Sequence, residues 1–382
     1  MPNKTNLKNK GAAQIVLSFL YRTELDFNTR NEKREEVIKL LSEAGVKYGR
    51  EIIEWNVLTN YECYPKNKDW TNANWADYDA VFDLYEKYDI EPVVYIMATP
   101  RNCSTAPKNA TNWEKVSSPP IGCREKDIDE TEPKEVQHRC EKWGSFVREV
   151  TKRYGYGPGG KQQIRYWEIW NEPDLKRTDV ELTTSNMKSY GVTRSDYWNT
   201  PGYFWKGTVN DYERLIRVAS NEIKTNDPSA KVLLGGITDR ITNEKSFESE
   251  WFRQYLNLSL NIRDYKDKHY DIFNYHDYSN QTPQNVQYIK ENYFKEYGLD
   301  DPIWITELAR HGYSRDKLAN EILPNKVQNV YPAGVDLFFW FMATDWCKEH
   351  KMETDTSLSS NGLLDCNIEP TPLYYSYQKY YK

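Results

Sequence analysis

Two hydrophobic periods take turns along the chain. Short apolar runs of buried-strand character fall at residues 14–21 (QIVLSFLY), 46–55, 91–98 (EPVVYIMA), 164–170, 231–235, 270–275, 302–306 and 334–341. The second of these carries charged residues inside it. Between and after the runs, apolar residues recur at helical spacing over 31–44, 78–88, 137–154, 212–224, 251–260, 283–297, 315–329 and 371–381. In the first helical stretch Val37, Leu40, Leu41 and Ala44 form one stripe, and Gly45 stops it; the run GYGPGG stops the third. Strand then helix, eight times over, predicts a parallel sheet with its helices outside. Eight units fit a (β/α)8 TIM barrel, an α/β fold, with enlarged βα loops at 99–135 and 173–207. The rival doubly wound sheet wants a glycine-rich turn after its first strand, and the chain has RTELDFNTR there. No composition break divides the chain, so one catalytic barrel domain is expected over 12–382, behind a polar extension at 1–11.

Composition narrows the partners. The 382 residues carry 51 Lys plus Arg against 57 Asp plus Glu, a net charge of -6 with no basic block, which argues against nucleic acid. No apolar stretch is long enough for a membrane span. The aromatic surplus is Tyr and Trp, 30 and 13 against 12 Phe, the rings that suit surfaces apolar on one side and wet on the other. Six cysteines (63, 103, 123, 140, 347, 366) sit mostly in loop-like segments with no zinc spacing. They expect up to three disulfides, Cys347–Cys366 first, and an extracellular or periplasmic protein whose signal peptide is absent from this chain. Free thiols in a cytoplasmic enzyme are the alternative. The sequence carries no signal for oligomeric state.

In a barrel, chemistry gathers where strands end at their C-terminal side. Those ends carry Trp55-Asn56, Asn171-Glu172, His276-Asp277-Tyr278, Thr306-Glu307 and Trp340. Glu172 on the fourth strand and Glu307 on the seventh would face each other across the mouth. Glycosidic bond hydrolysis needs such a pair, one protonated and one ionised. A separation of roughly 5–5.5 Å goes with retention of configuration, and roughly 6.5–9.5 Å with inversion. Glu168 lies four residues before Glu172, about 13 Å deeper on the same face, and reads as an interior acid.

The segment YWEIWNEPDL (166–175) resembles the strand-four acid/base motif of the clan A retaining glycoside hydrolases, closest in style to family 39 and cellulase-like family 5 relatives. WITELARHG (304–312) resembles the strand-seven nucleophile segment, and GLLDCNIEPTPLYYSYQ (362–378) the passage to the closing helix. The resemblance implies Glu172 as acid/base and Glu307 as nucleophile, with Asn171 on the sugar 2-hydroxyl. It implies Arg50 orienting the nucleophile, His276 and Tyr278 beside it, and Trp340 as a platform under the sugar. Trp55, Asn56, Trp198 and Trp205 are possible subsite residues. No metal or organic cofactor is implied. The implied activity is a retaining, two-glutamate hydrolase of β-linked oligo- or polysaccharide. The aromatics spread through the loops favour endo action. The absence after the last barrel helix of the β-sandwich usual in family 39 xylosidases points the same way. An exo-β-glycosidase of xylosidase or glucosidase type is the near alternative, and a non-catalytic glycan-binding barrel is the alternative of another class. Leu308-Ala309-Arg310 departs from the aromatic-then-glycine or asparagine pattern common after the nucleophile.

Overall fold

A computed structural model describes residues 7–18, 25–124, 140–175, 204–261, 269–310, 312–345 and 361–382. Nine parallel strands form one sheet: β1 (Ala12–Gln14), β2 (Tyr48–Glu54), β3 (Glu91–Met97), β4 (Tyr166–Ile169), β5 (Lys231–Leu233), β6 (Ile237–Thr238), β7 (Phe273–Asp277), β8 (Ile303–Leu308) and β9 (Leu337–Trp340). Their order is β5-β4-β3-β2-β1-β9-β8-β7-β6. β5 and β6 are two pieces of one barrel position, interrupted at Leu234-Gly235-Gly236. A parallel bridge from Leu233 to Ile272 joins the sheet's two ends. Eight positions thus close a TIM barrel.

The helices follow the strands as their periodicity dictates. α1 (Phe27–Glu43), α2 (Trp75–Lys87), α3 (Glu141–Tyr154), α4 (Val209–Asn226), α5 (Phe247–Asn261), α6 (Thr282–Ile289), α7 (Leu323–Val330) and α8 (Pro372–Tyr381) lie outside the sheet. Asp26 caps α1 by accepting from the amides of Asn28 and Thr29. Thr208 and Asp211 form a reciprocal capping box on α4. α6 runs on through a wider π turn at Lys290–Phe294. α7 is entered through another at Leu318–Ile322. Among the described residues no helix is long and apolar enough to cross a membrane.

Strand alternation sorts the side chains. Outward residues such as Ile53, Val94, Trp167, Phe273 and Ile305 join the large core shared with the helices. Inward residues at the barrel floor, Ala12, Val93, Leu233, Ile272, Trp304, Leu337 and Phe339, form a second apolar cluster with Tyr48 and Tyr166 against it. The first strand differs from its prediction. It begins two residues earlier and ends at Gln14, because the amides of Ile15 and Val16 both turn to the carbonyl of Arg50 and Val16 adopts φ +53°. Its predicted end, 19–21, lies outside the described residues.

Two cysteine pairs stand at disulfide distance. Cys63–Cys103 ties the loops after β2 and β3, with Cα atoms 5.1 Å apart. Cys123–Cys140 ties the long loop to the start of α3, at 4.5 Å. Cys366 is also disulfide-bonded, and Cys347 lies outside the described residues.

Candidate active site

Two local irregularities put carboxylates into the mouth. Simple alternation would send neighbouring residues to opposite faces. Beyond β4, Trp170 (φ +74°) and Glu172 (φ +42°) adopt left-handed backbone, and both Asn171 and Glu172 turn inward. The Glu172 amide is anchored on the carbonyl of Gly235 at 2.6 Å. On β8 the register with β7 skips one residue. Tyr275 pairs with Ile305 and His276 with Glu307, leaving Thr306 as an inserted residue. A bulge of this kind re-aims side chains, so Thr306 and Glu307 both face the interior.

Arg50, fully buried, organises the site. Its guanidinium makes two bonds to Glu168, at 2.8 Å from Nε and 2.7 Å from Nη2. Nη1 donates to Glu307 Oε1 at 2.5 Å and to Gln14 at 2.8 Å, and Nη2 donates to Asn171 Oδ1 at 2.8 Å. The guanidinium lies 4.1 Å from the centre of the Tyr95 ring. Because Asn171 accepts through its oxygen, its amide NH2 is left to donate. Glu168 is confirmed as an interior acid, but it bears directly on the site by holding Arg50; the depth argument from sequence missed that a long guanidinium spans the gap.

The other oxygen of Glu307 accepts from the Tyr278 hydroxyl. His276 Nδ1 lies 2.7 Å from Glu172 Oε1 and 3.5 Å from Glu307 Oε2. One oxygen each of Glu172 and Glu307 and one nitrogen of His276 all lie within 4.8 Å of one another. Burial pushes the Glu172 carboxyl up to about 7, with Arg50 and Arg240 opposing the rise. Burial pushes His276 down to about 4, so its ring is neutral. Burial also raises the Tyr278 phenol, which keeps its proton for donation.

The structure therefore brings together Arg50, Asn171, Glu172, His276, Tyr278 and Glu307, and it corrects three aromatic assignments. Trp340 does not floor the cleft. It points outward into the core shared with the helices, fully buried, and its indole donates to the carbonyl of Asn361. The inward neighbour is Phe341, packed edge-on to Tyr278 at 5.7 Å beside Ala309 and Met342. The all-apolar run LFFWFM gave no polar mark from which to fix which residues face in. Trp55 is stacked on Phe146 of α3 at 5.4 Å with none of its surface open. Trp205 is enclosed edge-on against Trp170 at 5.0 Å. Neither presents a face to a sugar. Asn56 is buried, its backbone N–H donates to the carbonyl of Ala98, and its side chain makes no hydrogen bond to the carboxylates. Trp198 lies outside the described residues.

Fold and site together define a TIM barrel with paired glutamates on opposite strands of its mouth. Residues 206–377 match a family model described as the glycosyl hydrolase catalytic core. A β-xylosidase of Caldicellulosiruptor saccharolyticus is 21% identical over 205 residues, 53% of this chain, and the match spans only 33% of that relative's length. Among solved structures, a GH39 β-xylosidase from Caulobacter crescentus superposes with a TM-score of 0.62 at 18% identity, covering 97% of this chain and 70% of its own. A GH5_18 enzyme from Streptomyces cattleya, solved with Manβ1-4GlcNAc, superposes with a TM-score of 0.63 at 12% identity, covering 97% and 80%. The chain thus resembles the clan A glycoside hydrolases in fold as well as in motif.

Proposed function

We propose that this protein is a retaining β-glycoside hydrolase acting by double displacement, with Glu307 as nucleophile and Glu172 as acid/base. The observation that carries the reading is the approach of the two carboxyl groups to within 4.8 Å, oxygen to oxygen, in contrasting surroundings. That approach supports the shorter separation that goes with direct attack over the longer one that goes with inversion. Glu307 accepts from a cation on one oxygen and a phenol on the other, a donor set made for an anionic carboxylate. Glu172 is held protonated near neutrality by burial, as a general acid must be.

In the first step Glu307 attacks the anomeric carbon while Glu172 gives its proton to the departing oxygen. The bond to the leaving group breaks and an ester to Glu307 forms. In the second step Glu172, now anionic, takes a proton from water as that water attacks the same carbon and Glu307 is released. Asn171, its amide oriented by Arg50, donates to the sugar 2-hydroxyl.

Of the loop aromatics that favoured endo action, Trp75 and Trp205 are buried and Trp113 is exposed, while Tyr190, Tyr197, Trp198 and Tyr203 lie outside the described residues; the enclosure of Trp75 and Trp205 favours short substrates and exo release of terminal sugars. The disulfides support an exported protein. The test is proton NMR of the first product from an aryl β-glycoside, together with early product sizes from xylan, mannan and β-glucan. Retained β-configuration and early monosaccharide are expected. The α-anomer as first product would reject the mechanism, and early oligosaccharides would restore endo action. Glu172→Ala should lose about a thousandfold in rate on unactivated substrates and recover partly with azide on an activated aryl glycoside.

A further inference from the structure

Thr306, the inserted residue of the β8 bulge, has a role that neither carboxylate explains. Its hydroxyl is fully buried and, among the described residues, its one hydrogen-bond partner is His276 Nε2, at 3.2 Å. A hydroxyl that accepted from Nε2 would leave its own hydrogen buried without an acceptor, which is the more expensive way to fill one bond. Thr306 therefore donates, Nε2 accepts, and the ring proton sits on Nδ1. The backbone at residue 236 crowds the edge of the ring. Gly236 packs so closely that a Cβ there would stand 2.2 Å from Nε2. Asn274 fixes the bulge itself, accepting from the Thr306 amide at 3.2 Å while donating to Leu234.

We propose that Thr306 is a positioning residue that fixes the His276 tautomer, so that an N–H occupies Glu172 Oε1 and the proton used in catalysis is carried by Oε2. This rests on Glu172 being the acid/base. Oε1 is 2.7 Å from the imidazole, while Oε2 has no hydrogen-bond partner among the described residues. The same N–H stabilises Glu172 once it has become the anionic base, so its effect is largest in the second step. The charged groups facing the ring are Glu307, Arg50 and Glu168, with Arg240 also acting on Glu172. They set the background against which one hydroxyl decides the tautomer, and the neutral ring follows from its burial.

The direct test is nitrogen NMR of protein labelled in its five histidines, at pH 6 where Glu172 holds its proton, with His276→Gln used to assign the signal. Wild type and Thr306→Ser should show the proton on Nδ1; Thr306→Val, which keeps the shape and loses the hydroxyl, should populate the Nε2 form. A proton on Nε2 in wild type overturns the proposal, as does an unchanged tautomer in Thr306→Val. Kinetically, Thr306→Val should lose about tenfold in kcat on an activated aryl glycoside, where the second step limits, and Thr306→Ser should restore it. An equal loss in both variants would overturn the tautomer as the cause. The NMR readout needs no turnover, so failure of the hydrolase reading would show separately, as absent hydrolysis with the tautomer intact.

Discussion

The barrel holds two interiors, and the same strands supply both. At the floor, Tyr48 on β2, Tyr166 on β4 and Trp304 on β8 meet ring to ring, with centroids 4.9 to 6.3 Å apart. Further along the same strands toward the mouth stand Arg50, Glu168 and the Thr306-Glu307 pair. The floor is held by contact area and shape, so its energy falls with volume removed. The mouth is held by one cation shared between Glu168 and Glu307, where removing a single partner leaves charge buried without compensation. The lesson is that stability and chemistry occupy successive layers of one core, and a substitution should betray its layer by what it damages.

Arg50→Met is the strongest way to break the contrast. It strands two buried carboxylates and should lower stability by about 3–5 kcal/mol and abolish most turnover, read by denaturant melts and initial rates. Trp304→Ala sharpens the contrast from below. It should lower stability by about 3–5 kcal/mol yet leave kcat per folded molecule and its pH profile nearly unchanged. A shift in the basic limb of that profile would mean the layers are coupled.

The pH dependence of the mouth follows from Glu172. Its folded carboxyl titrates near 7 against an ordinary 4.5. Between those values the native state binds more protons than the unfolded chain, so stability falls as pH rises from 4.5 through 7. Catalysis needs the protonated form, so kcat/KM should also fall as pH rises through about 7. Glu172→Gln removes the titration. Its Tm should match wild type below pH 4.5 and exceed it by roughly 1–3 °C at pH 8, in a variant with almost no activity. No gap between the two pH values would contradict the burial argument.

Much of this was legible in the sequence because alternation and punctuation are local. Strand–helix order, Gly45 as a stop, and Glu172 and Glu307 at their strand ends needed no distant contact. Arg50 and Tyr278 reached the site through the resemblance, and their distances to Glu307 agree with it. What escaped depends on register. Trp340 and Phe341 are adjacent in an unbroken apolar run, and only the sheet decides which one faces in. The Gly235-Gly236 break splits a strand so that His276 and the Glu172 amide fit against it, and a short GG gave no sign of that. Glu168 was placed by depth correctly, but its reach through Arg50 depends on a side chain bridging two strands. The pairing of Cys63 with Cys103 and of Cys123 with Cys140 depends on loops brought together by folding.

The account's central claim is that Glu307 attacks carbon. Covalent trapping tests it most directly: incubation with an activated 2-deoxy-2-fluoro-β-glycoside, which slows the second step, followed by mass spectrometry of the intact protein and its peptides. The account predicts one added sugar per chain, on the peptide bearing Glu307, and none on Glu307→Gln. A sugar on Glu172, or steady hydrolysis with no adduct and inverted product, would contradict it.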